Sequence, residues 1–495
     1  MISKKLEENL YNTYIYKEEE FISAKKGFLE TDYIVITFIN VIILFRGTCL
    51  LKKCPNCLIL YLLDNEEIIT MVKQDEISVD HFDINRVNHI KLKSIMFGHL
   101  LTNNIVIVDS NNYDFLEIKQ EKVVKHYICN CDYVPTVAKS LSIEDLCNPM
   151  VGIIRTTEMI NEKIHPIINN RFFIDHFVYF SYFYHPLALI NDEFGPLDMS
   201  IGIDVENEVA KTKSRMEALE RFCTFVPKEK KYIDKKNKLK LLKDFILPRG
   251  TSNGIAAHHS LNKANEGALC EIAERHSLMD SWINKKNINF LSVSSLPPRF
   301  LGYLEDLLRM DYKVSIVYLT NRFGVCTFLI IIVQQNQHNK FLPYVKSGIG
   351  SSLDNKELAL DKAFGELLIG LYFDLNDKNW HSTPSEYGFE FHIDYYNCSD
   401  DKENKYEMVK HYFSENEADT INWSDIECDK EWANEEISFV DLKPKFLDQY
   451  NFEVVKAVVK NTFPLYYHGS SYQDFSDSFS KEQYRYLEKN PHPFP

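Results

Sequence analysis

The apolar residues of this chain follow two periods, one typical of helices and one typical of strands. In three stretches they recur every three or four residues and so share one face of a helix; these stretches are 207–225, 260–286 and 355–375. Runs rich in Ile, Val and aromatic residues predict buried strands instead; they lie at 33–45, 104–110, 172–185, 313–320, 327–335 and 452–461. Helices and strands alternate from about residue 150 onward, which predicts a mixed α/β (α+β) fold.

A short segment, LSIEDLCNPMVGIIR (141–155), separates this fold from the first part of the chain. Ser142 is expected to cap a short helix, with Asp145 at the capping-box position and Pro149 marking its end. The sequence therefore predicts an accessory domain over residues 1–140 and a larger domain over 141–495. Within the larger domain, the acidic stretch 397–436 is typical of a solvated insertion or a mobile loop.

Composition and charge narrow the classes of partner. The chain has 495 residues, 45% of them hydrophobic, and a net charge of −15 without a long basic block. Because phosphate backbones are bound by clustered Lys and Arg, nucleic acid is not the expected partner. The opening residues, MISKKLEENLYNTY, lack the apolar core of a secretory signal, and the run 33–45 is too short to cross a bilayer as a helix. We expect a cytoplasmic protein without a membrane segment.

Two close cysteine pairs lie in the first 140 residues, Cys54 with Cys57 and Cys129 with Cys131. A CxxC turn supplies two thiolates at once, and a second pair would complete the tetrahedron that structural zinc prefers. His126 or Cys49 could replace one ligand, and ordinary buried thiols are the alternative. In a reducing compartment the chain's 11 cysteines are expected to be thiols or metal ligands and not disulfides.

The predicted helices repeat one charged pattern, Glu-x-x-Glu-Arg, and residues at this spacing share a helix face. The third helix adds a lysine four residues before a glutamate. The resulting charged set is Glu217, Glu220, Arg221, Glu271, Glu274, Arg275, Lys362 and Glu366. These residues could form an exposed salt-bridged surface, or hold Mg²⁺ through carboxylates and phosphate through the cations.

A stretch of small residues, GTSNGIAAHHS (250–260), precedes the second of these helices and would let backbone N–H groups approach an anion. The sequence contains neither a GxxxxGK[ST] loop nor a GxGxxG fingerprint. Any bound ATP would therefore lie outside the common nucleotide folds.

Three segments resemble the YcaO family, specifically its azoline-forming cyclodehydratases. KSRMEALERF is similar to the family's SxxxEAxER helix, and SNGIAAHHSLNKANEGALCEIAER to its block between SNGxAxG and ExxER. GIGSSLDNKELALDKAFGELL resembles the third motif, and the terminal PHPFP, with Pro491, Pro493 and Pro495, matches the PxPxP end of the azoline-forming branch. The resemblance covers about residues 150–495. The cysteine pairs and the segment 141–155 resemble the zinc-bearing region and linker of related proteins.

The resemblance implies an ATP-dependent reaction on a ribosomally made precursor peptide. A Cys, Ser or Thr side chain attacks the preceding amide carbonyl, the oxygen is phosphorylated by ATP, and phosphate leaves to give a thiazoline or oxazoline. The five glutamates would be Mg²⁺ or ATP ligands, and Arg221, Arg275 and Lys362 would contact phosphate. Ser252 and His259 would face the nucleotide, and Pro495 would place the terminal carboxylate near the reacting amide. A disordered tail is the alternative for the terminal residues.

The sequence departs from the family pattern at several positions. His259 stands where the family has asparagine, Lys263 where it has an acidic residue, and Lys362 where it has arginine. Lys213 replaces the serine of the first motif, and SIGIDVE (200–206) stands where a GKG segment often precedes it. Lysine does not reproduce the bidentate phosphate contact of arginine, so these changes bear on nucleotide geometry.

The resemblance also implies partners. Residues 1–140 contain no evident leader-binding segment, so we expect a separate E1-like protein that binds the leader of the precursor peptide. A flavin-dependent dehydrogenase could later oxidise the rings, and a homodimer is a further expectation. A non-catalytic scaffold of the same complex, or an enzyme that forms backbone thioamides, are the alternatives.

Overall fold

The computed structural model describes five strands within the first 119 residues and most of the chain after residue 140. The described ranges after residue 140 are 141–148, 152–160, 171–186, 197–226, 253–335, 342–376, 395–396, 401–428, 437–466 and 470–494. The predicted zinc ligands Cys54, Cys57, Cys129 and Cys131 lie outside the described residues, as do Ser252 and Pro495. The predicted domain boundary at 140/141 stays a prediction.

The N-terminal strands form one sheet in the order β1-β2-β3-β4-β5. Their bounds are Thr13–Lys17, Tyr33–Phe38, Val41–Arg46, Asn104–Asp109 and Phe115–Lys119. The first pair is parallel and the others are antiparallel. The apolar runs at 33–45 and 104–110 therefore form strands as predicted, the first run giving two.

The largest sheet of the second part has the order β13-β12-β11-β10-β14. Its strands are β10 (Ile288–Leu291), β11 (Tyr312–Leu319), β12 (Cys326–Gln334), β13 (Val345–Ser352) and β14 (Thr420–Ile421). Every residue of β12 and β13 is buried, which explains the near-continuous apolar run of β12. The strands predicted at 313–320 and 327–335 are confirmed within one residue.

Two three-stranded antiparallel sheets complete the described strands. One contains β6 (Ile154–Met159), β7 (Phe177–Tyr184) and β8 (Leu197–Asp204), and the other contains β15 (Ile437–Asp441), β16 (Glu453–Val459) and β9 (Ile255–His258). The prediction of a strand over all of 172–185 was wrong at its start. A one-turn helix, α1 (Arg171–Asp175), precedes β7 and buries Phe172 and Phe173.

Seven further helices follow in the described residues: α2 (Asn207–Phe225), α3 (Leu261–Asn284), α4 (Pro298–Arg309), α5 (Lys356–Asn376), α6 (Lys402–Val409), α7 (Tyr472–Phe475) and α8 (Lys481–Lys489). The three helices predicted from periodicity are α2, α3 and α5, and all are confirmed. Helix α2 packs on β8, α3 on β9 and β16, and α5 on β13. None of the described helices is long and apolar enough to cross a bilayer.

The acidic stretch 397–436 is more ordered than its composition predicted. Its described part, 401–428, contains α6, a short strand and three 3-10 turns, and it buries Val409, Tyr412 and Ile426. Large apolar side chains bury this stretch against the core, while most of its charged residues are exposed and Lys405 is buried.

The same stretch contains a disulfide that the sequence did not predict, between Cys428 and Cys326 of β12. The partners are separated by 102 residues, and their Cα atoms are 5.3 Å apart. The expectation of thiols was therefore wrong for this pair, because no local spacing reports a contact made across the fold. Among the described cysteines, Cys223 and Cys270 are free thiols.

Candidate active site

The charged helices α2, α3 and α5 each follow a strand and return across it, and one hydrogen bond recurs in all three strand–helix units. A backbone N–H in the strand donates to one glutamate of the charged pattern on the helix. These bonds run from Ile201 to Glu217 (3.2 Å), from Ile255 to Glu271 (2.9 Å) and from Ile349 to Glu366 (2.6 Å). One carboxylate oxygen of each glutamate is thereby fixed towards its strand, and the other can face a ligand.

Glycines let two of these helices lie directly on their strands. A Cβ at Gly202 would lie 2.1 Å from the carbonyl oxygen of Ala210, and one at Gly350 would lie 2.3 Å from that of Ala359. Only a residue without a side chain permits this approach. The glycine-rich segment before α5 therefore positions Glu366 against β13.

The carboxylates of the three helices lie close enough to repel one another. Burial raises the pKa of Glu220 well above its usual range, and the charges of Glu271 and Glu217 raise it further. Burial also raises the pKa of Glu366 to about 7, with Glu274 adding to the effect. The structure thus brings together acidic residues from all three helices, as the sequence predicted.

Glu271 lies at the centre of this group. Burial raises the pKa of its carboxyl group to about 7, the neighbouring Arg275 opposes that rise, and Glu274 adds to it. The hydrogen bond from Ile255 and the charge of Lys456 also favour the ionised form. Near neutral pH the carboxyl of Glu271 is therefore poised between its two protonation states.

The three predicted cations lie beside these acids. Arg221 donates to Glu217 at 2.8 Å and to the carbonyl of Met199 at 3.1 Å, whereas Arg275 lies 3.9 Å from Glu271. The ammonium of Lys362 donates to the carbonyl of Ser351 at 3.0 Å. Five glutamates thus gather with three cations, two too few to neutralise the acids if all five were ionised.

Ser351 is a site residue that the sequence analysis missed. Its hydroxyl is 2.9 Å from Glu274 and 3.3 Å from the carbonyl oxygen of Cys270, so it links β13 to α3. Its own carbonyl accepts the bond from Lys362. Alternation along β13 places Ile349 and Ser351 on the same face of the strand, a signal that the sequence VKSGIGSS contains.

Two residues that depart from the family pattern, His259 and Lys263, are exposed. The Nδ1 atom of His259 is 2.7 Å from the carbonyl oxygen of Asn451, and Lys263 is exposed and pairs with Glu266 at 2.7 Å. Ser260 occupies the N-cap position of α3, but its side chain makes no capping bond. Its backbone N–H donates instead to Nδ1 of His258 at 3.0 Å.

The described terminal residues are buried, so the disordered-tail alternative is wrong for them. His492 is fully buried and Phe494 is 1% exposed. The hydroxyl of Ser347 in β13 donates to the carbonyl oxygen of Pro493 at 2.6 Å. The strand that holds Glu366 therefore also holds the end of the chain.

The donor set fits Mg²⁺, which prefers carboxylate oxygens. The fit rests on the buried, crowded acids, two of which have a pKa raised to about 7. A divalent cation beside these carboxyl groups would lower the free-energy cost of ionising them. Within the described ranges, no three His, Cys, Asp or Glu side chains are already arranged as ligands of one ion. The group is therefore a cluster of candidate ligands that a metal would draw closer.

A mixed α/β fold in which three strand–helix units bring their acids together defines a class of enzymes with an acidic, metal-binding centre. The sequence model of the YcaO family, described as an ATP- and Mg²⁺-binding cyclodehydratase, matches residues 243–461. The matched residues include helices α3 and α5. No curated protein matches the sequence.

Several solved structures are similar to this chain at low sequence identity, and one of them, with a TM-score above 0.5, shares its fold. A heterocyclase in complex with substrate and cofactor is 13% identical, with a TM-score of 0.61 over 95% of this chain and 80% of the other. The YcaO protein of Methanopyrus kandleri, bound with AMPPCP and Mg²⁺, is 14% identical over 66% of this chain and 89% of the other, with a TM-score of 0.42. A chain of the E. coli microcin synthetase complex with its bound pro-peptide is 15% identical over 70% and 98%, with a TM-score of 0.43.

Proposed function

We propose that this protein uses ATP to cyclise Cys, Ser or Thr residues of a precursor peptide to thiazoline or oxazoline. The side-chain nucleophile adds to the preceding amide carbonyl, and the resulting oxygen takes the γ-phosphoryl group of ATP. Loss of phosphate then completes the ring, so the peptide loses one water while ATP becomes ADP and phosphate. The observation that carries the proposal is the convergence of acids from α2, α3 and α5, of which α3 and α5 lie within the residues that the YcaO model matches.

The chain's own residues would bind and orient the nucleotide. The glutamates would hold Mg²⁺. In Glu217, Glu271 and Glu366, one carboxylate oxygen would stay hydrogen-bonded to a backbone N–H of the preceding strand. Bound Mg²⁺ would neutralise phosphate charge during transfer. Arg221, Arg275 and Lys362 would contact phosphate oxygens. Ser252, His259 and Pro495 remain proposed site residues, the last as the carrier of a carboxylate near the reacting amide.

The proposed partners are those that cyclisation of a precursor peptide would require. The substrate is a precursor peptide, and a separate E1-like protein presents its leader. A flavin-dependent dehydrogenase that oxidises the rings, self-association of this chain, and structural zinc in the N-terminal domain are secondary elements of the proposal.

The test reconstitutes the reaction and compares two substitutions on one helix. Purified protein, partner, precursor peptide, Mg²⁺ and ATP should release phosphate, and each ring should remove the mass of one water. Glu271→Ala should abolish both signals, because it removes an acid from the centre of the cluster. Glu266→Gln is the matched control, since Glu266 is on the same helix but pairs at the surface with Lys263. Unchanged turnover in Glu271→Ala would show that the acidic cluster is not needed for the reaction.

The departures at His259, Lys263 and Lys362 favour a second candidate, a non-catalytic scaffold of the same complex. Calorimetry with a non-hydrolysable ATP analogue and Mg²⁺ separates the two. The enzyme should bind the nucleotide and lose binding in Glu271→Ala, whereas a scaffold should bind nothing in either form. A mass gain equal to sulfur replacing oxygen would instead favour thioamide formation.

A further inference from the structure

The last part of the described acidic stretch, residues 420–428, lies against the starts of β12 and α5, and we call it the strap. It begins as β14, which pairs in parallel with β10 in the large sheet. Just past that ladder, the backbone N–H of Ser292 donates to the carbonyl oxygen of Ile421 at 2.9 Å. The backbone N–H of Trp423 then donates to the hydroxyl of Ser295 at 2.8 Å. The first half of the strap is therefore held by hydrogen bonds to the β10 strand and the turn after it.

Aromatic packing holds the middle of the strap on the core. The ring of Trp423 stacks on Phe328 of β12, with ring centroids 5.7 Å apart, and meets Phe300 of α4 at 6.1 Å. Phe300 stacks in turn on Phe364 of α5 at 5.8 Å. Ile426 is 3% exposed in the same cluster. The strap thus packs on the layer of side chains that supports α5.

The first residue of α5 binds the strap directly. The ammonium of Lys356 donates to the carbonyl oxygen of Trp423 at 2.8 Å and to that of Ile426 at 3.0 Å. A charged donor makes such bonds stronger than those between neutral groups. The same helix continues to Lys362 and Glu366 of the candidate site. Movement of the strap would therefore take both acceptors away from the cation that starts the site helix.

The disulfide closes this arrangement covalently. It joins Cys428, the last residue of the strap, to Cys326, the first residue of β12. Cys326 lies opposite Ser352 in the ladder of β12 and β13. The neighbouring Ser351 donates to Glu274 of the candidate site at 2.9 Å. One bond thus fastens the strap beside β13 and α5, which form the third strand–helix unit of the site.

The two cysteines of this bond differ in exposure. Cys326 is fully buried, whereas Cys428 is half-buried. A soluble thiolate would therefore reach the bond at Cys428, from the side of the strap. Disulfides that solvent can reach are the ones that exchange with other thiols. Because the two cysteines are 102 residues apart, the loss of their bond also frees a long loop.

We propose that the Cys326–Cys428 disulfide is a redox-sensitive tether, and that its reduction frees the strap and weakens the candidate site. A thiolate of a dithiol reductant attacks the sulfur of Cys428, and Cys326 leaves as a thiolate and takes up a proton. The second thiolate of the reductant then displaces Cys428, which is protonated in turn. Two electrons and two protons pass to the protein while the reductant becomes a disulfide. The effect on the site rests on the proposed function, but the release of the strap does not.

Hydrogen exchange in the full-length protein, without nucleotide or peptide, tests the release of the strap. A non-reducing digest of the oxidised protein should first contain Cys326 linked to Cys428. Dithiothreitol should then speed exchange about tenfold in a peptide covering 420–428, because the closed strap loses its cross-link. Helix α8, which packs in a separate cluster of the core, should exchange at an unchanged rate. A digest with the two cysteines unlinked, or a strap that exchanges equally in both forms, would overturn the proposal.

Cys428→Ser is the matched control for the reagent, because it removes this bond and keeps every other cysteine. Its strap should exchange at the rate of the reduced wild type, with or without dithiothreitol. A strap that still responded to the reagent in this variant would show that a different pair of thiols is the sensor, and the proposal would fail.

Lys356→Met tests the coupling from the strap to α5 and leaves the disulfide in place. In the wild type, reduction should speed exchange several-fold in a peptide covering 356–362, since the lysine loses its acceptors. The oxidised variant should already exchange at that faster rate, and reduction should change it little further. An acceleration as large as that of the wild type would overturn the coupling through Lys356.

Calorimetry with a non-hydrolysable ATP analogue and Mg²⁺ tests the effect on the site. The oxidised wild type should bind the nucleotide about tenfold more tightly than the reduced form, and Cys428→Ser should bind like the reduced form in both buffers. Equal affinities of the two wild-type forms would overturn the regulation of the site. If neither form binds, the proposed function fails, and the exchange of the strap still decides whether the disulfide is a tether.

Discussion

The crowded acids at the centre of this protein should destabilise it when no cation is bound, and Glu271→Gln tests that reasoning. A glutamate pKa raised from 4.5 to about 7 corresponds to about 3 kcal/mol, at about 1.4 kcal/mol per pKa unit. Glutamine cannot ionise, yet its side-chain oxygen can still accept the bond from Ile255. Because the raised pKa already includes the attraction of Arg275, we expect a net stabilisation of about 3 kcal/mol at pH 8.

The effect should depend on pH in one direction. The carboxyl group of Glu271 binds its proton more tightly in the folded protein than in the unfolded chain. Below about pH 4.5 this group is protonated in both states, so its ionisation does not reduce the stability of the wild type. Its stability then falls as the pH rises through about 7, after which the penalty is complete. Glu271→Gln should therefore melt at the wild-type temperature at pH 4.5 and several degrees higher at pH 8.

Scanning calorimetry of the full-length protein in chelator provides the assay. Glu266→Gln, which changes an exposed pair on the same helix, should move the melting temperature by little at either pH. Added Mg²⁺ should raise the melting temperature of the wild type at pH 8 more than that of Glu271→Gln, since the metal favours the ionised acid. If Glu271→Gln were equally or less stable than the wild type at pH 8, the carboxylates would not be mutually repelling as inferred.

Two further substitutions test how the site is supported. Gly350→Ala would place a Cβ 2.3 Å from the carbonyl oxygen of Ala359, so α5 must shift and calorimetry should show a loss of about 1–3 kcal/mol. Cys428→Ser removes the disulfide that closes a loop of about 100 residues, and calorimetry should show that the free energy of unfolding falls by about 2–5 kcal/mol. In the denatured wild type, thiol titration should find two more thiols after reduction than before it.

Local sequence patterns predicted the helices of the site well and its hydrogen-bond partners poorly. Helix α2 was predicted over 207–225, the bounds that the structure gives, because a long amphipathic period and one charged face agree there. The charged spacing also identified which charged side chains share one face of each helix. Each of these features is determined within a single element.

The missed features depend on contacts between distant elements. The N–H group that holds Glu366 belongs to Ile349, and which N–H group of β13 points at α5 depends on strand register. Ser351 and the disulfide partner Cys428 are likewise specified only once β12, β13 and the 401–428 segment are assembled. No spacing in the sequence identifies the distant partners of these residues.

The three strand–helix units are not equivalent, and the difference predicts which arginine matters more. In the first two units an arginine four residues after the glutamate pairs with it, whereas the third unit has Gly370 at that position. The side chain of Lys346 lies against Gly370 and pairs with Asp374 at 2.8 Å. Glu366 therefore depends on Arg275 of the neighbouring helix, whose charge lowers its pKa.

Arg275 thus serves two buried acids, Glu271 and Glu366, while Arg221 pairs with a more exposed one. The side chain of Arg275 is 19% exposed and that of Arg221 is 44% exposed. Arg275→Met should lower stability at pH 8 by about 1–3 kcal/mol because two acids lose their cation, and Arg221→Met by less than about 1 kcal/mol. The difference between the two variants should disappear near pH 4.5, where both acids are protonated. Calorimetry at the two pH values decides, and a larger loss in Arg221→Met would show that Glu366 draws its counter-charge from elsewhere.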